Sequence, residues 1–208
     1  MKRTLAIILA AVMLLTVPVL ASSEPSDWAK AEIPEEYPQM FASVDVDVDY
    51  QRPITRAEFC MLAFKVYSDI NGALPQTDID TRFTDIGEET VDMFVPIANS
   101  LGIVYGVSDK EFVPRNTLTR QELCTMLGRI FIQLDPDAEK AFTEAAEAPI
   151  NFEDASLVAD WARTSVSYCI SHGIIKGVSE TQLDPLGTVS MEQAMVISAR
   201  VIAGATAK

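Results

Sequence analysis

The sequence of 208 residues contains one histidine, three cysteines and few cations. The single histidine, His172, precedes a predicted helix end, where a cation suits the helix dipole, and it suggests no acid–histidine–nucleophile set. Lys and Arg number 16 against 30 Asp and Glu, which gives a formal charge of −14. Nucleic-acid binders and polybasic membrane-surface proteins both need clustered cations, so this balance argues against either class.

The cysteines do not form a recognisable disulfide framework. Cys60, Cys124 and Cys169 are odd in number, which excludes complete pairing within one chain. Each stands in an apolar helical pattern and is predicted to be a small buried hydrophobe. No Cys-x-x-Cys or Cys/His cluster is present, so we predict no metal site and no cofactor.

Long apolar runs are absent except at the start of the chain. Lys2 and Arg3 precede an uncharged stretch from Leu5 to about Val19, and small residues follow at Val19-Leu20-Ala21. This pattern predicts a secretory signal peptide over residues 1–21, and an uncleaved anchor is the alternative. Cleavage would remove two cations and change the charge from −14 to −16. The remainder is predicted to be secreted and to lack a stable membrane span.

The chain contains an internal repeat. Residues 102–109 align with residues 173–180 at an offset of 71, and the alignment continues to Arg129 and Arg200. A third copy begins with Thr-Arg-Ala-Glu at 55–58, which aligns with 119–122, but it lacks the Gly-Ile-x-x-Gly segment. Self-similarity at a fixed period is the signature of a repeat architecture. The predicted organisation is a divergent repeat 1 at 22–75, repeat 2 at 80–134, an acidic linker or short helix at 135–149, and repeat 3 at 150–204.

Each unit has the pattern of a helix, a connector and a second helix. The apolar positions of the second helices follow i, i+3, i+4, i+7, i+8, which places them on one helical face and predicts an all-α fold. Each second helix is also preceded by a capping box, in which a hydroxyl and a carboxylate or amide satisfy free amides at the helix start. The three boxes are Thr55 with Glu58, Thr119 with Glu122, and Ser190 with Gln193.

Two arginines stand at unfavourable positions in these helices. Arg56 and Arg120 are predicted at the first helical turn, where the dipole opposes a cation by about 0.3–1 kcal/mol. Either each arginine pairs with a neighbouring carboxylate, or each is placed to meet an external anion together with the free amides of the helix start. The residues themselves do not decide between these two readings.

The repeated motifs resemble the S-layer homology (SLH) family. They are Phe-x-Asp at 83–85 and 152–154, Gly-Ile-x-x-Gly at 102–106 and 173–177, and Thr-Arg-x-Glu at 55–58 and 119–122. The resemblance implies three tandem lobes in a pseudo-threefold arrangement, with grooves that bind a secondary cell-wall polysaccharide, often pyruvylated. It makes Arg56 and Arg120 the expected anion contacts. Further groove or framework positions are Asp85, Trp28, Trp161, Gly106 and Gly177.

The two tryptophans have a second interpretation. Their rings could stack on sugar faces, or they could anchor short helices in the core, which is the commoner role of such residues. Repeat 3 also departs from the family pattern, because Met191 replaces the arginine. Together with the shortened repeat 1, this predicts one or two competent grooves rather than three.

The sequence therefore predicts a non-catalytic protein of the cell wall or cell surface that binds an anionic wall polysaccharide. A structural or scaffolding protein that self-associates or binds other proteins is the alternative. Asp85 and Asp154 could form a glycosidase pair, but their place in a repeated Phe-x-Asp favours turn or capping roles. Asp45, Asp47 and Asp49 begin like a calcium loop, but Tyr50 stands where that loop requires glycine.

Overall fold

A computed structural model describes residues 24–72, 82–134 and 138–206, so the predicted signal peptide lies outside the described residues. Over these ranges the regular structure is helical, with isolated β-bridges and no strand, which confirms the all-α prediction. Two 3-10 helices, Thr90–Met93 and Ala155–Leu157, precede the first helices of the second and third units. The α-helices are α1 Asp27–Lys30, α2 Glu36–Ala42, α3 Arg56–Asn71, α4 Phe94–Ser100, α5 Arg120–Leu134, α6 Ala138–Ala146, α7 Asp160–Ser171 and α8 Met191–Thr206.

The three long helices α3, α5 and α8 all start at the predicted capping boxes. At α3 the Glu58 carboxylate accepts from the Thr55 amide at 2.8 Å, while the Thr55 hydroxyl accepts from the Glu58 amide at 3.3 Å. The same reciprocal pair joins Thr119 with Glu122. Ser190 and Gln193 repeat it at 3.2 and 3.3 Å. The capping prediction is confirmed at all three sites.

A closed ring of backbone hydrogen bonds joins the starts of these helices at the centre of the molecule. The Ile54 amide donates to the Val189 carbonyl at 2.9 Å, Val189 to Leu118 at 2.9 Å, and Leu118 back to Ile54 at 3.3 Å. All three side chains are fully buried. In each of the three segments a backbone amide therefore donates to a carbonyl of another segment. The arrangement has approximate threefold symmetry.

The first free amide of each long helix is satisfied by a neighbouring connector. Amides at helix starts have no intrahelical partner, so an external carbonyl is needed when they are buried. The connector that supplies it comes from the next unit, and the third helix returns to the first. The bonds run from Arg56 to Asn116 at 2.9 Å, from Arg120 to Gly187 at 3.0 Å and from Met191 to Arg52 at 2.9 Å.

Glycines end the first helices as expected. Gly102 and Gly173 have φ of 70° and 67°, the left-handed conformation that closes a helix without a Cβ penalty. Residues 138–146, within the segment predicted to be a linker or a short helix, form α6. Phe142 attaches α6 to α7, because its ring stacks on Tyr168 with centroids 4.2 Å apart.

The three cysteines are buried and unpaired, as predicted. Burial raises the pKa of Cys60 to about 12, which keeps the thiol protonated. Among the described residues, no three His, Cys, Asp or Glu side chains gather as a metal site would require, and Asp45, Asp47 and Asp49 lie along the irregular connector that follows α2. Within the same ranges every helix is too short or too polar to cross a bilayer.

Candidate functional site

Arg56 and Arg120 hold the loop of the following unit. Arg56 donates from Nε to the Phe112 carbonyl at 3.0 Å and from Nη2 to the Tyr105 carbonyl at 2.9 Å. Its guanidinium also lies 4.4 Å from the centre of the Phe112 ring. Arg120 repeats the pattern one unit later, with bonds to Leu183 at 2.9 Å and Lys176 at 2.7 Å.

These contacts differ from the first reading, in which each arginine pairs with a neighbouring carboxylate, while contact with an external anion stays a prediction. The two arginines are 6% and 7% exposed, and within the described ranges neither forms an ion pair with a carboxylate. Backbone carbonyls of the next unit accept from Nε and Nη2 of each arginine instead. Burial lowers the pKa of both Arg56 and Arg120, but from so high a value that the side chains stay charged. Each therefore supplies a fixed positive charge beside a loop that it braces.

Asp85 and Asp154 are framework residues in the described contacts. The Asp85 carboxylate accepts from the Phe112 amide at 2.9 Å and from the Val113 amide at 2.7 Å, and Asp154 accepts equivalently from Leu183 and Asp184. Burial acts to raise the pKa of Asp85, but these amide bonds outweigh it and the net pKa is lowered. The carboxylates thus hold the turn in which Val113 has a positive φ of 56°.

Gly106 and Gly177 permit a close approach between backbone and ring. A Cβ at Gly106 would lie 2.5 Å from the Phe83 ring and 2.6 Å from the Glu111 carbonyl. At Gly177 the corresponding distances are 2.5 Å to Phe152 and 2.7 Å to the Gln182 carbonyl. No side chain fits there without displacing the loop. The phenylalanine of Phe-x-Asp and the second glycine of Gly-Ile-x-x-Gly therefore form one packing unit.

The tryptophans are not core anchors. Trp28 is 49% exposed and Trp161 is 59% exposed, so both rings face solvent. The helix starts that carry them are held by the long helices: Glu192 accepts from the Ser26 amide and Gln121 accepts from the Ala159 amide, both at 2.9 Å. Each tryptophan is thereby fixed beside a long helix of another unit.

Three of the residues predicted to contact or frame the polysaccharide share one cavity of about 390 Å³, named here the Arg200 groove. Trp28, Arg120 and Gly177 line it together with the first half of α8. At its edge Arg200 forms a bidentate ion pair with Glu32, at 2.6 Å from Nε and 2.7 Å from Nη2. Its other lining residues are Ile175, Lys176, Val178, Glu192, Gln193, Val196 and Ile197.

A second cavity, of about 500 Å³, occupies the corresponding place one unit earlier and is named the Arg129 groove. Trp161, Thr125 and Arg129 line it, and they align with Trp28, Val196 and Arg200. The Arg129 guanidinium lies 4.3 Å from the centre of the Tyr105 ring, on the loop that Arg56 holds. The remaining lining residues are Ile132, Phe142, Thr143, Ala146, Thr164 and Ser165.

The third position has a different character. Met191, which replaces the arginine there, is fully buried. A cavity of about 440 Å³ beside the first unit is lined by acids, Glu24 and Asp47, and by apolar and amide groups. Such a surface has no cation to offer an anion. Among the described residues, two cavities therefore share this plan. At the third aligned position the buried Met191 replaces the arginine, and Lys65 pairs with Asp69.

Arg129, Arg200 and Glu32 were not singled out from the sequence. A signal did exist for the arginines, because Lys65, Arg129 and Arg200 are cations at one aligned position of the three copies. In the first copy Lys65 pairs with Asp69 within its own helix. Glu32 carried no signal, because its partner is 168 residues away in the chain.

Two segments of the chain, 82–124 and 151–195, match the S-layer homology domain. The Surface-layer 125 kDa protein of Lysinibacillus sphaericus is 31% identical over 104 residues, which cover 49% of this chain. Exoglucanase XynX of Acetivibrio thermocellus is 23% identical over 176 residues, or 82% of this chain. The matched regions are 8% and 15% of those two proteins.

The predicted first copy, at 22–75, lies outside both matched segments, so three tandem copies stay a prediction. Its place in the backbone ring is an observation independent of the family match. The matched segments contain Arg120 and the loop 175–178 of the Arg200 groove, and Trp161, Thr164 and Ser165 of the Arg129 groove. Over residues 82–124 and 151–195, this chain is similar to the S-layer homology domain.

Proposed function

We propose that this protein is a non-catalytic component of the bacterial cell surface, which attaches to the wall by binding an anionic wall polysaccharide in its inter-unit grooves. The single observation that carries the proposal is the pairing, in two equivalent grooves, of an exposed tryptophan with arginines held at fixed positions. An aromatic face suits a sugar ring, and a guanidinium suits a carboxylate or phosphate.

The aromatic and cationic groups in each groove come from different units. In the Arg200 groove, Trp28 belongs to the first unit, Arg120 to the second and Arg200 to the third. A ligand bound there would contact all three, and its site is formed only when the ring is closed. The cavity is open to solvent, which suits a segment of a polymer rather than a sequestered small molecule.

The matched family segments and the likeness to a surface-layer protein support a location at the cell surface. The pyruvylated sugar implied by the family resemblance is a ligand of the right chemistry, since a pyruvate ketal adds one carboxylate to a sugar ring. Attachment to the wall would then require the polysaccharide and its carboxylates, not the peptidoglycan.

The test is co-sedimentation with purified cell walls, before and after acid extraction of secondary polymers. We expect the full chain to sediment with intact walls and to remain in solution with extracted walls. The double substitution of Trp28→Ala and Trp161→Ala should weaken retention at least tenfold. Met93→Ala is the matched control, because Met93 is an exposed apolar residue outside both grooves.

Retention by extracted walls, or unchanged retention of the double tryptophan variant, would contradict the proposal. A scaffolding role is then favoured, since the buried Met191 already replaces the arginine at the third aligned position. Analytical ultracentrifugation distinguishes that case, because a scaffolding protein would associate with itself as its concentration rises.

A further inference from the structure

The two grooves differ in the acids that line them. Glu192 lines the Arg200 groove, and Glu32 pairs with Arg200 at its edge. The aligned residues are Gln121 and Ser165, of which Ser165 lines the Arg129 groove. No carboxylate is found among the residues that line the Arg129 groove. At both aligned positions, therefore, the residue associated with the Arg200 groove is a carboxylate and its counterpart is uncharged.

In the Arg200 groove the chain supplies its own anion. The Glu32 carboxylate takes two parallel hydrogen bonds from Arg200, at 2.6 and 2.7 Å, in the geometry that arginine forms with any carboxylate. Lys176 adds a further attraction that, together with Arg200, lowers the pKa of Glu32 against the opposing effect of burial. The Arg200 guanidinium is thus already paired with a carboxylate of the chain itself.

In the Arg129 groove the equivalent arginine lacks such a partner. Within residues 24–72, 82–134 and 138–206, Arg129 has no carboxylate at ion-pair distance. Its contacts are the Tyr105 ring and a long hydrogen bond of 3.4 Å to the Ile103 carbonyl. Half-buried and close to a second cation, Arg56, it carries a positive charge that nothing nearby neutralises. An incoming anion would recover the stabilisation that Arg200 obtains from Glu32.

We propose that Glu32 occupies the Arg200 groove as an internal substitute for a ligand carboxylate, and that the Arg129 groove is the one that binds carboxylated sugar in the resting protein. This inference rests on the proposed function and refines it. The occupied groove becomes available only when Glu32 leaves Arg200. The protein then has one ready site and one self-blocked site of the same design.

The chain contains two tryptophans, one in each groove, so each groove has its own reporter. The indole N–H resonances of the ¹⁵N-labelled full chain are followed by NMR during titration, and Trp28→Phe and Trp161→Phe assign them. The probe is a methyl mannoside bearing a 4,6-pyruvate ketal, and the neutral methyl mannoside is its control. Circular dichroism and thermal melting verify that each variant is folded.

In the unsubstituted protein we expect the Trp161 resonance to shift with the ketal at concentrations at least tenfold lower than the Trp28 resonance. Arg129→Gln should abolish the Trp161 response, and Arg200→Gln should leave it unchanged. Glu32→Gln keeps the shape of the side chain but removes its charge, so it should bring the Trp28 response into the range of Trp161. Ser165→Glu installs an internal carboxylate beside Arg129 and should suppress the Trp161 response at least tenfold.

The inference is overturned if Trp28 responds first in the unsubstituted protein, if Glu32→Gln leaves the Trp28 response unchanged, or if neither indole responds to the ketal. Retention on intact walls separates these results from the function itself. Walls that retain the protein while the indole pattern is wrong contradict only the assignment of the grooves. Walls that do not retain it contradict the proposed function.

Discussion

Single residues set the distance between each loop and its ring. Gly106 lies where a Cβ would collide with Phe83 and with the Glu111 carbonyl, so Gly106→Ala forces the loop away from the aromatic ring. Overpacking of this kind costs about 1–3 kcal/mol of unfolding free energy. Urea denaturation measures the loss.

Gly204→Ala is the matched control, because a Cβ at that position of α8 meets nothing within 4 Å. There the substitution should stabilise the protein by about 0.5–1 kcal/mol, since alanine is the better helix former. Equal destabilisation by the two substitutions would show that the close contact between Gly106 and the Phe83 ring does not determine the position of the loop.

The carboxylate of Asp85 links stability to pH. Its folded-state pKa is lowered because amide hydrogen bonds outweigh burial, so its contribution is present at neutral pH and is lost as the pH falls through that lowered pKa. Asp85→Asn should reduce stability by about 1 kcal/mol at pH 7 and flatten the decline between about pH 5 and pH 3.

Thermal melting across this pH range checks the prediction. The matched control is Asp109→Asn, which removes the same charge from an exposed turn. If the two variants lose the same stability at pH 7 and follow the same pH profile, Asp85 acts only through net charge and the amide bonds contribute nothing measurable.

At the scale of elements, the capping boxes decide where the long helices begin. The Thr119 hydroxyl caps α5 by accepting from the Glu122 amide, and the Thr119 backbone pairs with Thr188 of the next unit. Thr119→Ala should cost about 1 kcal/mol, while Thr119→Ser retains the oxygen and should cost only a few tenths. Chemical denaturation of both variants is the measurement, and equal losses would contradict the role of the hydroxyl.

These same elements show what sequence reasoning could reach. Helix starts at Thr55, Thr119 and Ser190 were predictable because a capping box is local, and its three members repeat. The glycine ends at Gly102 and Gly173 were predictable because only a left-handed position explains glycine there. Both features depend on residues that lie within four or five positions of one another, so the sequence alone predicts them.

The partners of Arg56 and Arg120 were not predictable in the same way. The sequence offered a nearby carboxylate or an external anion, and the actual acceptors are carbonyls about 50 to 60 residues further along the chain. Tryptophan exposure was missed for a similar reason, because the contacts that hold the starts of α1 and α7 come from Glu192 and Gln121, which are distant in the chain. Whether Arg56 and Arg120 contact a ligand stays a prediction.

At the scale of the whole molecule, the ring of Ile54, Leu118 and Val189 couples the three units. Each unit lacks part of its backbone pairing when a neighbour is absent, so the units should unfold together. Trp28→Phe and Trp161→Phe each leave a single tryptophan, which reports a different unit by fluorescence. We expect both variants to show one urea transition with the same midpoint, allowing for the small effect of each substitution.

Midpoints that differ widely between these reporters would show that the units unfold separately. In that case the ring would contribute little to cooperativity, and the grooves, which are built across units, could open without global unfolding. Circular dichroism at 222 nm on the unsubstituted chain serves as a third probe that reports all helices together.

The charge of −14 shapes how an anionic polymer can approach. The protein as a whole repels such a polymer, while a few fixed arginines attract it at short range. Added salt screens the long-range repulsion and the short-range attraction together, so wall binding should change little between 50 and 500 mM salt. Co-sedimentation at several ionic strengths checks this, and a steep loss of binding with salt would indicate diffuse electrostatic adsorption instead.

The ring of backbone hydrogen bonds also limits how many units the architecture can contain. In an open solenoid, a repeat can be added at either end because each copy contacts only its neighbours. Here the Met191 amide at the start of the third long helix donates to the Arg52 carbonyl in the connector of the first unit. The ring is therefore closed, and it offers no free edge to which a further unit could bind. A duplicated single copy would have no place in the ring, whereas a duplicated set of three could close on itself. Growth of such an architecture by gene duplication would therefore proceed in threes.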